Sequence, residues 1–146
     1  ADPILIDMGC KYKGYCSDMT RTIFMGCILE EIKPVYDLVL KNQKNVLDSM
    51  RGNYNIKTLS RGVEDSYKLN NYILIHGLGH GVGLDIHEIP NINSRNESFL
   101  KENMVVTDEP GIYLPGRYGI RIEDTILINK TDCVPLTKSD KGYVVI

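Results

Sequence analysis

The sequence has no long apolar run, no large excess of charge and no paired-cysteine motif. No stretch approaches the roughly 18 to 20 apolar residues of a membrane span, and the first residues do not have the pattern of a signal peptide. A net charge of -2 and a pI near 5.9 provide no basic surface for nucleic acid or an anionic membrane. We therefore expect a cytoplasmic protein with no nucleic-acid and no membrane partner.

The cysteines are few and lack the spacing of a structural zinc site. Cys10, Cys16, Cys27 and Cys133 form no Cys-x-x-Cys pair. In a reducing compartment they stay thiols, and we interpret them as small, half-buried apolar residues. The remaining composition is ordinary: 146 residues, 42% hydrophobic and 25% charged, fit one domain with a core.

Apolar periodicity predicts a hairpin followed by two helices. Residues 3–9 and 15–24 are β-rich and flank Tyr12-Lys13-Gly14, where glycine tolerates a positive φ. The segment 34–50 begins with proline and repeats its apolar residues at helical spacing, and a weaker helix covers 57–69. Neither helix suggests a function of its own.

The second half of the chain is strand-like and contains no repeats. Breaks are predicted near Pro90-Asn91 and Pro110-Gly111, and residues 120–128 alternate as one strand with its isoleucines on one face. This order of elements predicts an α+β fold in which helices cover one face of a mostly antiparallel sheet.

Two aspartates lie on the two arms of the predicted hairpin. If Tyr12-Lys13 is a two-residue loop, Asp7 and Asp18 pair across the ladder on one face. Opposed carboxylates repel unless a proton or a cation lies between them. The alternative is a different register with two solvated aspartates.

The three histidines all lie within one stretch of twelve residues, which is rich in glycine. Glycine occupies positions 77, 79, 81 and 83, which disfavours a helix and predicts a strand with one face free of side chains. In that strand His76 and His80 share a face, and His87 follows closely. Unrelated surface or core histidines are the alternative.

Two further carboxylates complete a candidate metal set. Glu109 precedes Pro110, and Glu123 shares a strand face with Arg121, so an ordinary strand ion pair is the alternative for Glu123. Four carboxylates and one imidazole suit manganese, iron or cobalt better than structural zinc. Two divalent ions held about 3.5 to 4 Å apart can activate a water for attack on a carbonyl, which is the design of a hydrolase.

Four motifs, in order along the chain, resemble the pita-bread metallopeptidases, specifically prolidase and aminopeptidase P. They are Asp7-x-Gly with Gly14-Tyr-x-x-Asp18-Met-Thr-Arg-Thr22, His76-Gly-x-Gly-His80-x-x-Gly-x-x-x-His87-Glu-x-Pro90, Glu109-Pro-Gly-x-Tyr113, and Gly119-Ile-Arg121-x-Glu123-Asp124. The resemblance implies the pita-bread fold and spans nearly the whole chain except about residues 28–72.

The resemblance also implies a role for each matching residue. Asp7 would bind one metal ion, His80 and Glu109 the other, and Asp18 and Glu123 both. His76 and His87 would contact substrate and stabilise the tetrahedral intermediate, and Glu109 would also handle the proton of the nucleophile. Tyr113 and Arg121 would orient the ligands.

The implied reaction is hydrolysis of an Xaa-Pro bond by a hydroxide that two divalent ions activate. Manganese is the expected metal, with cobalt, iron or zinc as alternatives, and the substrate is a peptide with proline at its second position. Methionine aminopeptidase and a non-catalytic pita-bread binding module are the alternative functions. Thr20-Arg21-Thr22 favours the proline-specific branch, and His87-Glu-x-Pro90 slightly favours the dipeptidase.

Members of the family carry a second half of the domain, and usually a further N-terminal domain, before the strand that holds Asp7. We therefore interpret residues 1–146 as the C-terminal part of the catalytic domain. On its own this part is expected to show weak or no activity and poor metal retention. The complete protein is expected to be a homodimer.

Overall fold

The computed structural model describes residues 2–146 as two helices and eleven strands. In chain order these are β1 (Pro3–Met8), β2 (Lys11–Tyr12), β3 (Tyr15–Cys16), β4 (Met19–Phe24), α1 (Lys33–Ser49), α2 (Ile56–Leu69), β5 (Gly79–Gly81), β6 (Glu88–Ile92), β7 (Val105–Asp108), β8 (Gly111–Leu114), β9 (Tyr118–Arg121), β10 (Asp124–Ile128) and β11 (Cys133–Pro135). The predicted hairpin, helix pair and later strands are confirmed.

One five-stranded sheet organises the second half of the chain, in the strand order β11-β10-β7-β5-β6. Neighbouring strands in this sheet are antiparallel, as they are in the two-stranded pairs β1-β4, β2-β3 and β8-β9. An isolated antiparallel bridge between Thr20 and Glu123 connects β4 with the residue before β10. The predicted α+β architecture with a mostly antiparallel sheet is therefore confirmed.

Both helices begin where the sequence indicates. Pro34 lies in the first turn of α1, where its fixed φ suits the helix and its missing N–H is not needed. At the start of α2 the side-chain oxygen of Asn55 accepts a hydrogen bond from the Thr58 N–H at 2.9 Å. Within the described residues neither helix is long and apolar enough to cross a membrane.

The helices pack their apolar stripes against the sheets. Val39 of α1 and Tyr67 of α2 are fully buried, together with the isoleucines at 120, 122, 126 and 128. These isoleucines all belong to the buried core, but the predicted single strand 120–128 is wrong. The chain changes pairing partners there: β9 pairs with β8, whereas β10 pairs with β7 and β11.

Proline affects the strands differently at its two predicted break positions. The break at Pro110 is confirmed because it separates β7 from β8. The break near Pro90 is wrong, since Pro90 lies inside β6. β6 is an edge strand, and its register with β5 shifts between His80 and Gly81, so a residue without an N–H is tolerated.

Candidate metal centre

The hairpin turn lies one residue later than predicted. Lys13 and Gly14 form the two-residue turn, with φ values of 49° and 89°, and Tyr12 pairs with Tyr15. The ladder consequently places Asp7 opposite Thr20, so the predicted direct pairing of Asp7 with Asp18 is wrong. Lysine rarely adopts positive φ, and its side chain provides no signal for this conformation.

Asp18 lies between β3 and β4, where the strand pairing of the hairpin is interrupted, and this allows its side chain to reach the site. At Gly9 a Cβ atom would lie 2.1 Å from the carbonyl oxygen of Ser17, so glycine is required for this close approach. Asp18 is thereby buried, and its N–H donates to Thr125 Oγ1 at 3.1 Å. One carboxylate oxygen each from Asp7, Asp18 and Glu123 lie within 4.8 Å of one another.

His80 is held on β5 with one ring nitrogen directed to the carboxylates. Its Nδ1–H donates to the Gly81 carbonyl at 2.9 Å, which leaves Nε2 free to act as a ligand. This Nε2 lies 3.5 Å from Asp18 Oδ2 and 3.4 Å from Glu109 Oε1. The strand that carries His80 is shorter than predicted, because only residues 79–81 pair with neighbouring strands. Leu78, which was predicted to share this strand, lies just before it and belongs to the core.

The glycines around His80 permit close strand packing, as the sequence predicts. A Cβ atom at Gly79 would lie 2.1 Å from the Thr107 carbonyl oxygen, and one at Gly81 would lie 2.4 Å from the Ile89 carbonyl oxygen. These contacts hold the backbone of His80 between its two neighbouring strands.

Threonine hydroxyls position the two glutamates. Thr107 Oγ1 donates to Glu109 Oε1 at 3.1 Å and accepts from the His80 N–H at 3.0 Å. Thr20 Oγ1 donates to Glu123 Oε2 at 2.5 Å. Neither threonine was predicted as a site residue, although Thr20 lies two positions after Asp18 and Thr107 lies two positions before Glu109.

The five predicted ligands converge as two overlapping sets. Asp7, Asp18 and Glu123 form one, and His80, Glu109 and Glu123 form the other; in each set the ligand atoms lie within 4.8 Å of one another. Glu123 belongs to both of these sets. A third group with the same spacing contains Asp18, His80 and His87.

The electrostatics of the cluster favour a bound cation. Burial raises the pKa of Glu123 to about 8, with a further increase from the charge of Glu109. Burial lowers the pKa of His80, but hydrogen bonds to Asp18 and Gly81 and the charge of Glu109 outweigh it and raise the pKa to about 8. Oxygen and imidazole donors without thiolate fit hard or borderline divalent cations, and a bound cation would replace the protons.

Arg121 connects the ligands to His76 instead of pairing with Glu123. Its Nη2 donates to Asp7 Oδ2 at 2.5 Å, its Nη1 to Tyr113 Oη at 2.9 Å, and its Nε to Thr20 Oγ1 at 3.1 Å. The His76 Nδ1–H donates to Gly77, so His76 Nε2 accepts from the Tyr113 hydroxyl at 2.8 Å. The interpretation of Glu123 as a strand ion pair with Arg121 therefore does not apply.

The cluster opens into a polar cavity of about 530 Å³. Both His76 and His87 line it, and the His87 ring centroid lies 4.3 Å from that of His80. Glu109 and Arg121 also line it, and Asn91 and Asn93, which were not predicted, contribute amides. All the predicted site residues therefore lie in the cluster or in its immediate surroundings.

Comparison with known proteins places this arrangement in one family. The model of metallopeptidase family M24 matches residues 1–130. The Xaa-Pro dipeptidase of Pyrococcus furiosus is 43% identical over 143 residues, covering 96% of this chain and 41% of the relative. The Xaa-Pro dipeptidase of Pyrococcus horikoshii is 43% identical over 146 residues, covering 98% of this chain and 41% of the relative.

Solved structures of related proteins have the same fold as this chain. The X-Pro aminopeptidase of Thermotoga maritima superposes with a TM-score of 0.95 at 38% identity, over 99% of this chain and 42% of that chain. The prolidase of Pyrococcus furiosus gives a TM-score of 0.92 at 43% identity, over 94% of this chain and 42% of that chain. The chain thus spans about 41% of the length of these curated relatives. It has the pita-bread fold and belongs to metallopeptidase family M24.

Proposed function

We propose that this chain provides the metal centre of a dinuclear exopeptidase that hydrolyses Xaa-Pro peptide bonds. The observation that carries the proposal is the sharing of Glu123 between two ligand sets, Asp7 with Asp18 and His80 with Glu109. A single buried carboxylate between two such sets is suited to bridging two cations. Manganese is the proposed metal, because the donors are mainly oxygen.

When bound, two divalent ions would supply Lewis acidity and lower the pKa of a water molecule to near neutral pH. The chain's own residues prepare the site for this chemistry. Glu109 lies at the end of β7 and lines the cavity, so its carboxylate can accept a proton there and deliver it to a leaving nitrogen. Thr107 fixes the orientation of that carboxylate.

His76 and His87 form the substrate side of the cavity. His87 is exposed and adjacent to His80, so its ring can hydrogen-bond to a substrate oxygen near the proposed ions. His76 is held by Tyr113, which Arg121 in turn holds, so its position is coupled to that of Asp7. This arrangement supports the proposed role of both histidines in stabilising a developing negative charge.

An Xaa-Pro substrate follows from the relatives named Xaa-Pro dipeptidase. The bond has no amide N–H and a considerable cis population, so peptidases that depend on backbone hydrogen bonds handle it poorly. Dipeptidase activity is favoured over aminopeptidase P by a small margin, because these dipeptidases are 43% identical, against 38% for the X-Pro aminopeptidase of Thermotoga maritima and 31% for the aminopeptidase P of Escherichia coli.

Two other functions remain distinguishable by experiment. Methionine aminopeptidase would prefer an N-terminal methionine to a proline at the second position. A non-catalytic binding module would not need a metal, and the convergence of five ligands argues against it. The homodimer and the cytoplasmic location stay predictions. The interpretation of residues 1–146 as the C-terminal part of the catalytic domain also stays a prediction.

The test measures metal binding and hydrolysis with a pair of matched variants. Asp18→Asn removes a ligand, whereas Asp65→Asn makes the same chemical change at an exposed position on α2. With the chain expressed within its complete open reading frame, we expect two Mn²⁺ per wild-type protein by calorimetry, at least tenfold weaker binding in D18N and no change in D65N.

Hydrolysis is measured with the chain expressed within its complete open reading frame. Ala-Pro, a longer Xaa-Pro peptide and a Met-Ala peptide are compared with Mn²⁺ present. Faster release from Ala-Pro supports the dipeptidase, and preference for the longer peptide indicates aminopeptidase P. Cleavage of Met-Ala alone, or no cleavage with any divalent metal, would overturn the proposal.

A further inference from the structure

Arg21 lies behind the candidate metal centre and uses all five of its N–H donors. Its side chain is buried, with 7% of the residue exposed. Nη1 donates to the Glu123 carbonyl at 2.6 Å and to the Thr20 carbonyl at 2.9 Å. Nη2 and Nε bind the later part of the chain. A guanidinium can satisfy this many acceptors in one plane, whereas a lysine has three donors on a single nitrogen.

The remaining donors of Arg21 hold residues 137–142, here named the C-terminal strap. Nη2 donates to the Ser139 carbonyl at 2.9 Å, and Nε donates to the Asp140 carbonyl at 3.0 Å. Tyr36 of α1 donates its hydroxyl to the strap carbonyl of Gly142 at 3.0 Å. The strap lies beyond residues 1–130, to which the family model is matched.

Asp124 connects the strap with the residue that carries the bridging carboxylate. Its side chain is fully buried. It accepts four charged or polar donors, at distances of 2.6 to 3.0 Å: Arg21 Nη2, Gln43 Nε2, Thr137 Oγ1 and Lys141 Nζ.

We propose that Arg21 and the C-terminal strap are positioning elements that fix Glu123 for both metal-ligand sets. Glu123 is held at its carbonyl by Arg21 and at its N–H by the Thr20 carbonyl at 3.0 Å. Its carboxylate is held by the Thr20 hydroxyl. The chain at Glu123 is in neither β9 nor β10, so these contacts replace the regular ladder that would otherwise define its position.

The expected effect of the strap on metal binding rests on the proposed function, whereas the positioning of Glu123 by Arg21 and the strap does not. A bridging ligand must be placed within about 0.5 Å to serve two ions, and hydrogen bonds to the residues around it provide that accuracy. Loosening the strap should therefore leave the fold in place, make Glu123 mobile and weaken the coupling between two bound ions.

The experiment uses Thr137→Val, which removes one hydrogen bond to Asp124, and Thr137→Ser, which keeps the hydroxyl. Arg21→Lys is the stronger variant, and Arg117→Lys is its matched control, since Arg117 forms an exposed ion pair with Glu31. In the metal-free chain, amide hydrogen exchange is measured at Glu123 and in α2. We expect exchange at Glu123 to be about tenfold faster in T137V and R21K, unchanged in T137S and R117K, and constant in α2 throughout.

Manganese titrations of the same variants test the consequence for the ions. We expect the wild-type chain, within its complete open reading frame, to show the electron paramagnetic resonance signal of two spin-coupled Mn²⁺ ions. T137V should bind about tenfold more weakly and show uncoupled ions, and T137S should restore the wild-type signal. A variant with merely reduced stability would lose both ions together.

Unchanged exchange at Glu123 in both T137V and R21K would overturn the positioning role, whatever the metal results. Equal acceleration at Glu123 and in α2 would also overturn it, because the effect would then be global unfolding. Absence of Mn²⁺ binding by the wild-type chain within its complete open reading frame would overturn the proposed function instead, and the exchange data would still decide the role of the strap.

Discussion

Asp108 and Asp124 are direct cross-strand partners in β7 and β10, and both side chains are fully buried. Asp124 accepts four hydrogen bonds, whereas neither carboxyl oxygen of Asp108 has a partner within residues 2–146. Burial, followed by the charge of Asp124, raises the pKa of Asp108 well above its ordinary value of 3.8. Two identical residues at one ladder position therefore have opposite energetic roles.

We predict that Asp108→Val stabilises the fold and that Asp124→Val destabilises it. Valine at 108 removes a buried polar group without partners, which should add about 1 to 3 kcal/mol to the free energy of unfolding. Valine at 124 leaves Arg21 and Lys141 without their shared carboxylate, at a cost of about 3 to 5 kcal/mol. Urea unfolding of both variants and of Asp108→Asn, which keeps the polar group, measures the contrast.

The gain from D108V should depend on pH in a defined direction. Because the folded-state pKa of Asp108 is raised, the folded protein keeps a proton that the unfolded chain loses as the pH rises above 3.8. Wild-type stability is therefore lost from that pH up to the raised pKa. The advantage of D108V over wild type should be larger at pH 7 than at pH 4, and a smaller advantage at pH 7 would contradict this account.

Metal binding should strengthen as the pH rises to about 8. Glu123 and His80 both have a pKa raised to about 8, so below that pH each must lose a proton before it can bind a cation. Calorimetry with Mn²⁺ at pH 6, 7, 8 and 9 should show increasing affinity that levels off at the upper end. Buffers of different ionisation enthalpy should reveal proton release at pH 6, and pH-independent affinity without proton release would refute the prediction.

The Thr20 hydroxyl should matter for metal affinity. It donates to Glu123 Oε2 and accepts from Arg121 Nε, so Thr20→Val removes both contacts while it conserves shape. We expect about tenfold to a hundredfold weaker Mn²⁺ binding in T20V and near wild-type binding in Thr20→Ser, which keeps the hydroxyl. Calorimetry measures both constants. Equal affinities in the two variants would contradict the role of the hydroxyl, and weaker binding in T20S than in T20V would show that the methyl group matters instead.

The ligand set could be predicted from the sequence because its motifs are short and contain distinctive residue types. His80 is marked by the glycines on both sides, and Glu109 by the following proline and glycine. The register of Asp7 and Asp18 could not be predicted, since it depends on a positive φ at Lys13 and on the missing Cβ of Gly9. Both are backbone effects that an alternating pattern does not contain.

Contacts between distant parts of the chain were the other feature that local patterns could not provide. The alternation over 120–128 continues through the break at Glu123, because the isoleucines are buried on both sides of it. At the break the Glu123 carbonyl accepts from Arg21, about a hundred residues earlier, and Arg21 also binds the C-terminal strap. Neither partner carries a sequence signal that points to Glu123.

Glycine substitutions separate the two roles of glycine in this chain. A Cβ atom at Gly79 would lie 2.1 Å from the Thr107 carbonyl, so Gly79→Ala must push β5 away from β7 and move His80. We expect a loss of about 3 kcal/mol in the free energy of unfolding and of measurable Mn²⁺ binding. At Gly62 in α2 a Cβ atom meets nothing within 4 Å, so Gly62→Ala should add about 0.5 to 1 kcal/mol.

Urea unfolding and Mn²⁺ calorimetry on the two alanine variants measure these opposite effects. G62A keeps His80 in place, so its metal affinity should equal that of wild type while its unfolding midpoint rises. If G79A unfolded at the wild-type midpoint and bound Mn²⁺ normally, β5 would not need the close approach to β7. The placement of His80 would then have to come from its hydrogen bond to Thr107 alone.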